Sequence, residues 1–313
     1  MSLRIHAFGY FLLVALLTLL PLSDSALALE QPFDHSNWDA FLQEFVNEKG
    51  ETNYRGVQEN PALLNQYLKD LTDITDPYFR ETWPREELLA LWLNAYHAAI
   101  VKAVIEKYPV HSLNAIPGVW DLDMIQVGLI RYSINHIRER ELLGRFRDEK
   151  IHLALSCGAK NCPRLRREAY TGPRVEGQLY VAAREFVQNE AYVRADAEKK
   201  RLYLSKIFQW HAEDFRLDFG LPGEEKGFTA EEYAVLSFIA YYHDSVDMLQ
   251  FLEEGKFRIK YVSFNWGLNE WLPSETASSE SAPSKSTPEV TGEKISELSP
   301  GSSSKPVRKN RTS

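Results

Sequence analysis

The run from Leu88 to Ile105 constrains this chain more than any other. Across it only Asn94, His97 and Lys102 are strongly polar. It lies within a stretch, about Pro84 to Lys107, that reads as one helix. A helix apolar on every side has to be buried, in a protein core or in a bilayer. Asn, His and Lys within so short a run make a bilayer span a poor fit. A core helix is therefore expected, with the rest of the fold packed around it. Asn94 and His97 are three residues apart and face nearly the same way. Inside a core each needs a partner or costs about 1–3 kcal/mol. They either form a polar network that fixes packing or line a pocket.

Apolar residues at helical spacing mark further helices. One carries Trp38, Phe41, Leu42, Phe45 and Val46 after Ser36. A second opens at Asn60-Pro61 and carries Leu63, Leu64, Tyr67, Leu68 and Leu71. A third is predicted from about Arg174 to Arg194. Thr229 with Glu232 forms a capping box that opens a helix running to about Asp244. Alternation predicts strands at Ile151–Cys157, Arg201–Ser205 and Ile259–Phe264. There is no internal repeat. The expected class is α+β: a predominantly helical single domain with a small sheet.

Both ends of the 313-residue chain read as something other than fold. Arg4, the apolar run Phe11–Leu20 and the small residues Ala26 and Ala28 form a signal-peptide pattern over residues 1–28. Export to the periplasm or medium is the expectation, with no membrane anchor left after cleavage. Residues 274–313 contain no aromatic residue and are rich in Ser, Pro, Glu and Lys. Such a tail cannot bury enough apolar surface to offset the entropy of ordering. The folded domain is thus expected over residues 29–273. With 36 Lys and Arg against 44 Asp and Glu, the net charge is -8. That argues against nucleic acid as a partner.

The sharpest local feature is SCGAKNCPRLRR. Cys157 and Cys162 are the chain's two cysteines. In an oxidising compartment they can form a small disulfide loop. Alternatively one is a nucleophile, its thiolate favoured by Lys160, Arg164, Arg166 and Arg167. Two cysteines at this spacing do not make a zinc knuckle, and no metal or cofactor is expected. On an extended Ile151–Cys157 strand, His152 would lie roughly 16 Å from Cys157 and on the opposite face. Cys162 would then be its better partner. Glu176, Gln178 and Asp214 are candidates to orient a base or bind a polar substrate. Trp92, Tyr96 and Trp210 are expected in the core.

Together the segments LWLNAYHAAIVKAV, IHLALSCGAKNCPRL, LSKIFQWHAEDF and FNWGLN resemble one family, the domain of unknown function 547. The resemblance spans about Leu88 to Asn269, and His152 through Pro163 is its most specific piece. It implies a shared fold and a shared cleft. Two departures stand out. His97 occupies a position where the family pattern often has Asn. In SINHIRERELL, Arg138 and Glu139 replace the last two residues of a Ser-Leu-x-x-Ile-Glu-His segment. If that Glu-His pair serves a site in relatives, this chain has altered it.

Two functions are expected. The first is a cysteine-dependent hydrolase or acyl transferase acting on envelope amides or esters. Cys157 or Cys162 would be its nucleophile and His152, or a histidine brought in from elsewhere, its base, with Asn94 orienting that base or binding an oxyanion. Its plan would be at best distantly papain- or transglutaminase-like. The second is a non-catalytic envelope protein that binds a small molecule or partner. Its cysteines would form a structural disulfide, and Arg164, Arg166 and Arg167 would recognise anions. Asn94, His97, Arg164, Glu176 and Asp214 are the candidate binding residues.

Overall fold

The computed structural model describes residues 33–220 and 227–273. The expected leader and carboxy-terminal tail lie outside the described residues. From Phe33 to Leu272 the described chain forms one compact unit, and of the second unit, residues 273–313, only Pro273 is described.

Five helices come first: α1 (Ser36–Phe45), α2 (Tyr54–Glu59), α3 (Ala62–Thr72), α4 (Phe79–Thr82) and α5 (Arg85–Ile105). Helix α5 is the buried helix expected from its composition. Leu88 through Val101 are all buried, Trp92 fully so. The helix is long and apolar enough to cross a membrane, but its sides are covered by protein. Trp38 of α1 stacks on Phe41 at 4.7 Å and on Tyr67 of α3 at 5.4 Å between ring centroids. This layer closes one side of the core around α5.

A hairpin follows, β1 (Asp123–Val127) with β2 (Ile130–Ser133), antiparallel with Val127 opposite Ile130. Its turn is Gly128–Leu129, and Gly128 takes φ +58°, a conformation open to glycine. Next come α6 (Ile134–His136), a π-helical stretch (Ile137–Leu143), α7 (Gly144–Phe146) and a 3-10 turn (Glu149–Leu153). Then α8 (Val175–Gln188), β3 (Val193–Asp196), β4 (Arg201–Leu204), α9 (Lys206–Trp210), α10 (Arg216–Phe219), α11 (Ala230–Tyr242), α12 (Val246–Glu254) and β5 (Arg258–Tyr261) complete the unit. Strand β4 is central, antiparallel to β3 and parallel to β5. The Thr229–Glu232 capping box forms as the sequence indicates. The fold is α+β and mostly helical, with two small sheets.

Two local expectations are corrected. The helix expected over 174–194 stops at Gln188, because Asn189 turns the chain and Val193 and Arg194 enter β3. Ile151–Cys157 is not a strand. It is a 3-10 turn followed by irregular backbone, and every residue from Ile151 to Ser156 is buried. The reason lies in the packing. Ile151, Ala154 and Leu155 join the core around α5, whereas Leu153 joins a second core holding Phe186, Phe208, Phe215 and Phe238. A segment lying in the seam between two cores is covered on both sides, so it needs no sheet to bury it.

Candidate functional site

His152 sits in that seam. Asp148 caps the turn that carries it, accepting from the Lys150 backbone N–H at 2.9 Å. The imidazole Nε2 donates to Asp214 Oδ2 at 2.8 Å. An ionised carboxylate can only accept, so Nε2 carries the hydrogen. That bond is the main reason the Asp214 carboxyl is held below its usual range. Asp214 and His211 lie on the turn after α9. The His211 ring stacks on His152 with centroids 3.9 Å apart. Burial above all, then the charges of His152 and Arg138, pull His211 down to about 3, so it stays neutral.

His152 opens into a cavity of about 370 Å³. Its walls come from segments far apart in sequence: Trp120, Arg138, Cys157, Trp210, Phe264 and Trp266, with Asn114, Asn135 and Tyr96 beside them. Burial pushes the Tyr96 phenol up to about 12, so it remains a donor. Trp210 and Trp266 stack with centroids 5.9 Å apart, and Phe264 lies within 5.0 Å of each. Trp210 is 47% exposed, which corrects its expected place in the core. Trp92 is fully buried, as expected.

Cys157 and Cys162 form a disulfide. Its loop is stitched to the segment carrying Trp266. Lys160 N–H donates to Gly267 O at 2.9 Å, Asn269 N–H to Gly158 O at 2.8 Å, and Asn265 N–H to Asn161 Oδ1 at 3.0 Å. Gly158 makes this possible. Its φ is +73°, and a Cβ there would lie 3.1 Å from Ile100 Cγ2. The loop therefore positions one aromatic wall of the cavity.

The expected separation of His152 and Cys157 onto opposite faces fails, because the backbone between them is not extended; both line the same cavity. Asn94 and His97 line none of the cavities described. Asn94 Nδ2 donates to Tyr170 O at 2.8 Å, and its Oδ1 accepts from Tyr170 N–H at 3.0 Å. His97 Nε2 accepts from Ser156 N–H at 3.1 Å. Both are packing devices, the first of the two alternatives. Glu176 pairs with Arg85 at 3.2 Å on the surface. Arg164 faces Glu185 at 3.8 Å, while Arg166 pairs with Glu168 and Arg167 with Glu48. The basic strip beside the cysteines is thus met by carboxylates and stands outside the cavity. Gln178 is buried and holds Ala169 O and Thr171 N–H.

Sequence reasoning missed His211, Arg138 and the aromatic wall. The His-x-x-Asp spacing in QWHAEDF and the aromatics of FNWGLN were the available signals. Arg138 was visible as a departure from a pattern, and that departure lines the cavity.

His152, His211 and Asp214 have ligand atoms within 4.8 Å of one another, close enough for a metal ion. The arrangement favours a hydrogen-bonded cluster instead. Stacked rings aim their in-plane lone pairs side by side rather than at one point, and the Arg138 cation lies within electrostatic reach of His211.

Residues 80–187, which hold α5, His152 and both cysteines, match the family model described as protein of unknown function, DUF547. This stretch belongs to that family. No curated protein matches the chain, and no solved structure does. Trp210, His211, Phe264 and Trp266 all fall beyond the matched stretch. The cavity therefore joins the matched stretch to the carboxy-terminal part of the described unit.

A second cavity, about 280 Å³, lies on the other side of His152 and is lined by Glu149, Asp148, Glu213 and Asp214 among others. Glu149 is buried and its Oε2 has no hydrogen-bond partner. Burial pushes its carboxyl up to about 7. The folded state therefore holds a proton there that the unfolded chain releases above about 4.5, and stability is lost as pH rises through 7. Glu149→Gln is expected to raise stability at pH 8 by about 2 kcal/mol after allowing for solvent screening, with the gain shrinking below pH 5. Urea unfolding at the two pH values measures this, and an equal gain at both would refute it.

Proposed function

We propose that this chain is an exported protein whose tryptophan-walled cleft binds a small organic ligand. His152 presents its ring to it, held from outside the cleft by Asp214. The observation carrying this reading is the Cys157–Cys162 disulfide: it leaves no free thiol and holds the wall that carries Trp266. The signal-peptide pattern over residues 1–28 supports export. An alkylating probe should find no reactive thiol before reduction. Replacing both cysteines with Ser should lower stability by about 2 kcal/mol in the chain-entropy view and weaken ligand binding. A ligand screen read by tryptophan fluorescence tests the cleft. If His152→Ala and Trp266→Ala leave every detected ligand bound as before, the cleft is not the binding site.

One observation favours a second reading, a cysteine-dependent hydrolase or acyl transferase. Cys157 and His152 share the cleft, and Asp214 orients the imidazole as the third member of a triad does. Reduction would free Cys157 to attack an amide or ester. A burst of nitrophenolate from 4-nitrophenyl acetate, seen only after reduction and lost in Cys157→Ala, would favour this reading over simple binding.

A further inference from the structure

The geometry points to a ligand that bears one carboxylate on a six-membered ring, bound between Arg138 and the Trp210–Trp266 platform. This rests on the ligand-binding reading of the cleft.

The charge comes from Arg138, the one Lys or Arg among the described residues that line the cavity. A guanidinium carries five N–H donors. Here Nε meets Glu139 Oε1 at 2.8 Å and Nη2 meets Asn135 Oδ1 at 3.0 Å. Glu139 is half exposed, so solvent weakens that pairing. The guanidinium carbon lies 5.9 Å from the centre of the Trp120 ring, within cation–π reach. Of the cavity's other basic groups, both are imidazoles. Any charge on His152 is matched by Asp214, and His211 stays neutral. The cleft thus offers one cation to a ligand. A carboxylate matches the guanidinium fork in charge and shape, whereas a phosphate dianion would lack its second cation.

The body of the ligand follows from the aromatic wall. Trp210 and Trp266 keep 47% and 39% of their surface exposed, on rings tilted by only 23° from one another. Such bare faces suit a flat ring or the apolar face of a sugar. The volume of about 370 Å³ sits at the small end for ligand sites and limits the guest to about one ring with short substituents.

The test uses the full, oxidised chain and tryptophan fluorescence. It compares benzoate with benzamide, and glucuronate with glucose. At least one acid should bind at least tenfold more tightly than its neutral counterpart, and the acid that does so tells an aromatic acid from a sugar acid. Arg138→Gln should erase that preference, and Arg138→Lys should restore part of it. Trp210→Ala should weaken acid and neutral compound alike. Equal binding of acids and neutral compounds, or an acid preference that survives Arg138→Gln, overturns the carboxylate assignment and leaves the cleft standing. No saturable response to any of the four overturns both.

Discussion

Between pH 6.5 and pH 4 the protein is expected to lose several kcal/mol of folding stability. The main cause is two buried imidazoles that have no room for a proton. His35 and His97 are 5% and 2% exposed. Tyr67 hydroxyl lies 3.0 Å from His35 Nδ1, and Ser156 N–H donates to His97 Nε2. Burial pulls His35 down to about 3 and His97 down to about 4. In the unfolded chain both take up a proton below about 6.5. A base whose folded pKa is depressed contributes stability that is present above the unfolded pKa and lost as pH falls towards the folded one. For these two the loss at pH 4 is about 5 kcal/mol, against a total of roughly 5–15 kcal/mol for a typical domain. Glu149 works the other way between 7 and 4.5 and offsets part of the fall, whereas His211, also pulled down to about 3, adds to it; the fall is steeper with Glu149→Gln. His97→Asn, an uncharged residue that can still accept a hydrogen bond, should remove a sizeable part of the acid loss. Urea midpoints at pH 7, 5.5 and 4 measure it, and a midpoint unchanged across that range would refute the account.

Asn94→Leu is expected to destabilise the chain by about 4 kcal/mol. Asn94 satisfies both backbone groups of Tyr170 from the middle of α5. A leucine there would leave a buried N–H and a buried C=O without partners, at about 1–3 kcal/mol each. The expected signature is a large drop in the denaturation midpoint, with ligand affinity unchanged in the fraction that stays folded. A substrate-binding Asn94 would give the reverse, normal stability and lost affinity.

The parts of the fold that the residues announce are those decided locally. Helix α5 is legible because no face of it could meet water, and α11 because Thr229 and Glu232 cap it reciprocally. Strands β4 and β5 are legible from alternation. The turn bearing His152 is not, because alternation presumes one wet face and this segment has none. The candidate site was half legible. His152, Cys157 and Asp214 are chemically conspicuous wherever they stand. Trp120, Arg138, Trp210 and Trp266 become one surface only through tertiary folding, and no spacing relates them. Asn94 and His97 misled for a physical reason: polar groups in an apolar helix announce a need for partners, and backbone groups can meet it as well as a ligand can.

The stitching of residues 265–269 to the Cys157–Cys162 loop also sets an order of events during synthesis. His152, both cysteines and Trp210 leave the ribosome well before Phe264 and Trp266. Until they follow, the floor of the cleft exists without its far wall. The parallel pairing of β5 on β4 and the annealing of that last segment onto the loop are both long-range contacts, which form slowly compared with local helices. A nascent chain short of Trp266 therefore lacks the Phe264–Trp266 wall of the cavity.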